Sequence, residues 1–282
     1  MAASVLQAKA YLVHCFPSLG LNVLREICLY IGQRLLLPCI HSSSLRVYDL
    51  ETGRFTVASL SRTFDKSWTY CLLSECRLLG VLSQQAIELN IDSCEIKEVG
   101  EVNISRKWPG LIRVGHFAYA FGGNRDPALK SYEKYHLKYK IWQVIGNMLG
   151  EKSSFTPCQV GKEVYLCTIN QETHSWEAFN PTSETFRDLP ILFRHISSGS
   201  VSFVHSNTLH FVSLTGFLLK WQLNKTSLEP VLRVDVQGTN NSSASSNITP
   251  MVLGEKVYWV NYAFGYLVTY DSVDGAITTR VQ

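Results

Sequence analysis

VYDLETGRF, residues 47–55, returns five times downstream in altered form: ELNIDSCEI (88–96), KYHLKYKIW (134–142), AFNPTSETF (178–186), KWQLNKTSL (220–228) and TYDSVDGAI (269–277). The second residue of each copy is large and apolar: Tyr48, Leu89, Tyr135, Phe179, Trp221 and Tyr270. A polar residue follows every time, as Asp49, Asn90, His136, Asn180, Gln222 and Asp271. A second apolar anchor stands seven residues after the first in all six copies: Phe55, Ile96, Trp142, Phe186, Leu228 and Ile277. Between the anchors lie turn-forming Asp, Asn, Gly, Ser and Thr. That arrangement predicts a β-hairpin, with the first anchor ending one strand and the second opening the return strand.

The first anchors are 41, 46, 44, 42 and 49 residues apart. A period of about 44 residues has room for four short strands and their turns, the size of a propeller blade. The longest interval holds the polar stretch QGTNNSSASSN (237–247), which reads as a surface loop. Upstream of each hairpin runs a nearly continuous apolar segment, HFAYAFGG (116–123) and EVYLCTIN (163–170) among them. Such segments are expected of inner strands buried on both faces. Blades two to six show four strand signals each. Blade one shows three, so KAYLVHCF (9–16) is a candidate for its missing strand. Over 17–31, Leu21, Leu24, Ile27, Cys28 and Ile31 share one helical face, with Ser18 placed to cap the helix and Gly32 to end it.

The repeat resembles the kelch motif, whose blades carry a double glycine closing the second strand, then a tyrosine and a tryptophan. Gly122, Gly123, Tyr135 and Trp142 match it in blade three; the other blades lack the glycine pair. The resemblance covers residues 34–282 and implies a six-bladed kelch-like β-propeller preceded by an N-terminal segment, 1–33, with its amphipathic helix. FPSLGLNVLREICLYIG (16–32) is also similar to one helix of an F-box. This implies, as an alternative, the substrate-recognition subunit of a cullin-RING ubiquitin ligase, although strand signals resume where the rest of an F-box would follow.

Twenty-six Lys and Arg against 23 Asp and Glu leave a net charge of +3, too even for the strongly basic face that nucleic acid demands. No run of 18 apolar residues exists to span a membrane. Eight cysteines are scattered without C-x-x-C or zinc spacing, as expected of buried thiols in a reducing cytosol. None of the nucleotide-binding, hydrolase, zinc-protease or calcium-loop motifs occurs. Lysines and tyrosines interleave over 130–140, a pattern that an exposed strand produces as readily as a nucleic-acid site. Neither cofactor nor metal is expected. An enzyme built on the propeller is a further alternative, since propeller sites draw on distant residues.

The expectation is therefore a monomeric, cytoplasmic, non-catalytic scaffold that binds another protein through a loop face. The inter-blade loops hold eight cations (Arg62, Lys66, Arg106, Lys107, Lys152, Arg187, Arg194, Arg233) against five acids (Asp65, Glu101, Glu151, Asp188, Asp235), whereas most hairpin turns carry acids. An acidic segment of a partner is thus expected on the inter-blade face. Its contacts are assigned to Arg62, Arg106, Lys107, Trp108, Arg125, Arg194 and His195, because aromatic and arginine side chains dominate interface hot spots.

Overall fold

The computed structural model describes residues 36–49, 54–65, 67–74, 76–124, 128–152, 155–169 and 174–189, and eight strands between 201 and 280. The expected strand over 9–16 and helix over 17–31 lie outside the described residues. What is described is all-β, without helix, and forms six small antiparallel sheets whose strands follow one another in chain order. The first sheet is β1 (Leu36–Asp49) and β2 (Arg54–Phe64). The second is β3 (Thr69–Ser74), β4 (Arg77–Asn90) and β5 (Ile96–Arg106). The third is β6 (Gly110–Val114), β7 (Phe117–Phe121), β8 (Ser131–His136) and β9 (Ile141–Asn147). The fourth is β10 (Cys158–Val160), β11 (Glu163–Ile169), β12 (His174–Asn180) and β13 (Thr185–Asp188). The fifth is β14 (Val201–His205), β15 (Thr208–Val212), β16 (Phe217–Gln222) and β17 (Glu229–Arg233). The sixth is β18 (Met251–Leu253), β19 (Lys256–Asn261), β20 (Tyr266–Asp271) and β21 (Ile277–Arg280).

The spacing of seven is a register. Tyr48 lies opposite Phe55, Leu89 opposite Ile96, Tyr135 opposite Trp142, Phe179 opposite Phe186 and Tyr270 opposite Ile277. The invariant polar residue closes the four-residue turn between them. Asn90 Oδ1 accepts from the amides of Asp92 (2.9 Å) and Ser93 (3.0 Å), and Asn180 Oδ1 from Thr182 (2.9 Å) and Ser183 (3.4 Å). His136 does the same through Nδ1, for Lys138 (3.1 Å) and Tyr139 (3.4 Å). The last turn residue is left-handed in all three hairpins: Cys94 (φ 57°), Lys140 (φ 58°) and Glu184 (φ 55°). In the first and sixth repeats the same position is Gly53 and Gly275, the residue for which that conformation carries no steric cost.

Four strands per sheet, expected for blades two to six, hold in the third to sixth sheets and fail in the second, which has three. The first sheet likewise has two described strands rather than three. In the third sheet the sequence between β7 and β8, GGNRDPALK (122–130), is rich in turn formers. The corresponding LSQQA (82–86) has neither glycine nor proline, so β4 runs on through it with an irregular register. β4 therefore serves both neighbours, pairing with β3 through its first half and β5 through its second.

Between sheets lie apolar layers built by strand alternation. Leu78, Ile87 and Leu89 of β4 face the first sheet, while Leu79, Val81 and Ala86 face the third. On β7, Ala118 and Ala120 turn toward the second sheet; Tyr119 and Phe121 turn toward the fourth and meet Phe179 at 5.2 and 5.3 Å between ring centroids. This two-sided burial is why the inner segments read as unbroken apolar runs. The first anchors Leu89, Tyr135, Phe179 and Tyr270 are wholly buried. Trp142, the second anchor of the third repeat, is only partly buried; it packs on Tyr135 at 5.0 Å from the outer strand. Neighbouring sheets meet as β3 against β6, β5 against β9, β10 against β14 and β14 against β18, and β1 of the first sheet lies against β19 of the last. Among the described residues no helix is long and apolar enough to cross a membrane.

Candidate functional site

The last residue of β5 and the connection to β6 carry three of the residues assigned to the partner face, and they diverge. Arg106 is fully buried. Its Nε donates to Glu133 Oε1 (3.1 Å), Nη1 to the carbonyls of Gly122 (2.7 Å) and Ser131 (2.9 Å), and Nη2 to Ser131 Oγ (2.9 Å). A guanidinium so saturated and enclosed has nothing left for a partner, so its assignment to the binding face is corrected. Lys107 and Trp108 are partly exposed, with the Lys107 ammonium 4.6 Å from the Trp108 ring centroid, a cation–π arrangement. Trp108 holds φ at 55°, an uncommon backbone for a bulky side chain. The Lys107 carbonyl accepts from the Asn124 amide (3.0 Å), while Asn124 Oδ1 is buried with no hydrogen-bond partner. Arg62, near the end of β2, lies over the rings of Phe64 (5.8 Å) and Trp68 (5.2 Å) and bonds to Gln85 and Glu98. Arg125, Arg194 and His195 lie outside the described residues. The structure therefore brings Lys107 and Trp108 together beside Asn124, with Arg106 beneath them.

Glu133 is the residue sequence reasoning missed. Its carboxylate, fully buried in β8, accepts from the Asn103 amide (2.9 Å), Asn103 Nδ2 (2.8 Å) and the Ile104 amide (3.0 Å) as well as from Arg106. One sheet on, Glu177 of β12 repeats the device. It accepts from the amides of Leu149 (3.0 Å) and Gly150 (2.7 Å) and from Lys152 Nζ (2.6 Å), again with both charged side chains wholly buried. Each glutamate stands two residues before a first anchor and fastens the chain as it leaves the preceding sheet, Glu133 at the end of β5 and Glu177 just beyond β9. Lys152, counted among the loop cations, is thus also withdrawn from the surface. The signal available in the sequence was a lone acid between aromatics, YEKY (132–135) and WEAF (176–179).

The double glycine serves the same junction. Gly122 (φ 64°) leaves no room for a Cβ, which would collide with the Lys152 carbonyl, and that carbonyl accepts from the Gly123 amide (2.9 Å). Burial pulls the proton affinity of Arg106 and Lys152 down, and the facing glutamates partly restore it. A third carboxylate, Glu88, accepts from Tyr135 Oη (3.0 Å), Arg77 (3.4 Å) and Lys140; burial and that charge push the Tyr135 phenol well above its usual range. These carboxylates receive donors on both oxygens and act as fasteners between sheets.

Two buried cations removed from eight leave six against five acids, so the charge excess read for the inter-blade loops shrinks to one. Arg187 is further tied to Glu163 by two hydrogen bonds (3.0 and 2.7 Å). Among the described residues no group of three or more His, Cys, Asp and Glu is placed to hold a metal ion. His210 is buried within β15 with its ring 5.7 Å from Tyr270. A scan of the sequence against protein-family models returns no match, and a search of curated proteins returns none.

Proposed function

We propose that the chain is a six-bladed, kelch-like propeller acting as a non-catalytic protein-binding scaffold, with the Lys107–Trp108 loop at the centre of its binding face. Support for the ring comes from six sheets in chain order and from the adjacency of β1 to β19. The observation that carries the function is the contrast between neighbours where β5 ends and the loop to β6 begins. Arg106 is spent on internal fastening, while Lys107 stands over a strained Trp108 with no carboxylate in ion-pair range among the described residues. Unlike Cys94, Lys140 and Glu184, Trp108 holds this backbone outside a hairpin turn, where strain is a candidate mark of function. An aromatic ring under a cation suits an acidic peptide segment, and Arg62 extends the same character. Arg125, Arg194 and His195 belong to this reading on sequence grounds.

The test is a photo-crosslinking amino acid at position 108 of the full chain, in cells that make it. The expected result is a defined crosslinked protein that is lost with Lys107→Glu and weakens with added salt. Crosslinking that ignores both charge and salt, or capture of the F-box adaptor in its place, overturns the assignment.

A further inference from the structure

β9 is exceptional among the outer strands. It pairs with β8 on one side, and among the described residues no strand pairs with the other. Its sequence, IWQVIGN, contains no charged residue, whereas the last strand of every other sheet has at least one, such as Lys97 in β5, Arg187 in β13 and Arg280 in β21. Charges on an edge are a common protection against strand addition, and β9 has none. Of the five most exposed large apolar side chains among the described residues, four lie on β9 or beside it: Tyr139 (61 %), Ile141 (59 %), Val144 (45 %) and Leu149 (50 %).

The ends of this edge are marked by charge. Lys138, in the turn before β9, is exposed and lies 5.4 Å from the Tyr139 ring. At the other end the exposed Lys130 accepts, through its carbonyl, the amide of Met148 (2.6 Å), which places it beside the exit of β9. Among the described residues neither ammonium has a carboxylate in ion-pair range, and no acidic residue occurs from Lys134 to Gly150. The other lysines of the hairpin, Lys134 and Lys140, are already paired with Glu184 and Glu88.

We infer that β9 is a strand-addition site for an extended segment of a partner protein, apolar over about seven residues and bearing a carboxylate near each end. The unpaired backbone of β9 provides affinity, the exposed apolar side chains select the segment's centre, and Lys138 and Lys130 select its ends. Seven residues of strand span about 24 Å, which sets the separation of the two carboxylates. A second copy of this chain is disfavoured by the same charges. Parallel self-pairing sets each lysine against its own counterpart, and antiparallel self-pairing sets Lys138 against Lys130, so like charges meet at both ends in either direction. The inference rests on the scaffold reading but places this contact on the outer edge of the third sheet rather than on the Lys107–Trp108 loop.

The probe is a fluorescein-labelled peptide with a seven-residue Val-rich centre flanked by two Asp on each side, titrated into the full chain by anisotropy. The controls are the same centre flanked by Lys and a scrambled version. The acidic-flanked peptide is expected to bind about tenfold tighter than the lysine-flanked one at low salt, with the difference shrinking at high salt. Ile141→Lys with Val144→Lys is expected to weaken it about tenfold or more, in a protein that retains its cooperative melt. Hydrogen exchange on the unmutated chain needs no variant, and amides 141–147 should slow when the peptide is bound. Absence of binding overturns the proposal. So does binding that leaves exchange over 141–147 unchanged, or a dimer by sedimentation that the double lysine variant abolishes. Peptide binding lost with Lys107→Glu but untouched by the β9 variant removes the edge site and leaves the loop-face reading standing.

Discussion

Replacing Arg106 by methionine keeps most of the side-chain volume and removes a charge from a site that solvent does not reach. The variant loses the pair with Glu133, the bonds to the Gly122 and Ser131 carbonyls, and the bond to Ser131 Oγ. Removing one partner of a buried ion pair costs about 3–5 kcal/mol, chiefly because the remaining charge is left in low dielectric. Here Glu133 keeps three N–H donors from Asn103 and Ile104, which pulls the penalty toward the lower end. The Gly122 carbonyl loses its short bond, adding about 1–3 kcal/mol if water does not reach it. The expected net loss is therefore about 4–6 kcal/mol. Urea unfolding followed by tryptophan fluorescence measures it directly, with Lys107→Met as the internal control. The two positions are adjacent in sequence, but Lys107 is partly exposed where Arg106 is buried, so the control should move stability by less than about 0.5 kcal/mol. A loss below about 1 kcal/mol for Arg106→Met, or equal losses for the two, would refute the reasoning that this arginine fastens two sheets rather than serving a surface.

Gly122→Ala should destabilise by more than about 2 kcal/mol in the same assay, since a Cβ at positive φ meets the Lys152 carbonyl. At the left-handed turn position, Cys94→Gly should be neutral or gain about 0.5 kcal/mol while Cys94→Val loses more than about 1 kcal/mol; the reverse order would show the turn geometry to be misassigned. Burial pushes the Cys71 thiol up to about 12 and raises Cys167 well above its usual value, so both should resist iodoacetamide in the native protein at pH 8. Among the described cysteines, the partly exposed Cys76 and Cys94 should label first, as read by mass spectrometry of the digested chain. The Arg187 hydrogen bonds hold the Glu163 carboxyl below its usual range, so its small contribution is complete above the ordinary carboxylate pKa and is lost as pH falls through the lowered one. Glu163→Gln should flatten the acid side of the stability–pH curve, and an unchanged curve would show the pair to be inert.

The amino-acid sequence alone determined the hairpins. An apolar anchor, a polar residue and a second anchor seven positions on are local information, and a four-residue turn capped by Asn90, Asn180 or His136 follows from them within one segment of chain. The apolar runs at β7 and β11 likewise announced strands buried on both faces, because nothing else gives unbroken hydrophobicity over so short a length. The fate of the charges, by contrast, was settled by packing between distant strands. Arg106 and Lys107 are indistinguishable as neighbouring basic residues, and what separates them is a glutamate 27 positions along the chain in another sheet. The same holds for Lys152 and Glu177, and for β9, whose lack of charge becomes informative once the strand is seen to lie at an edge. Local pattern specifies the strand, but burial of a charge or exposure of an edge depends on which distant strand arrives beside it, and that is set by packing between sheets.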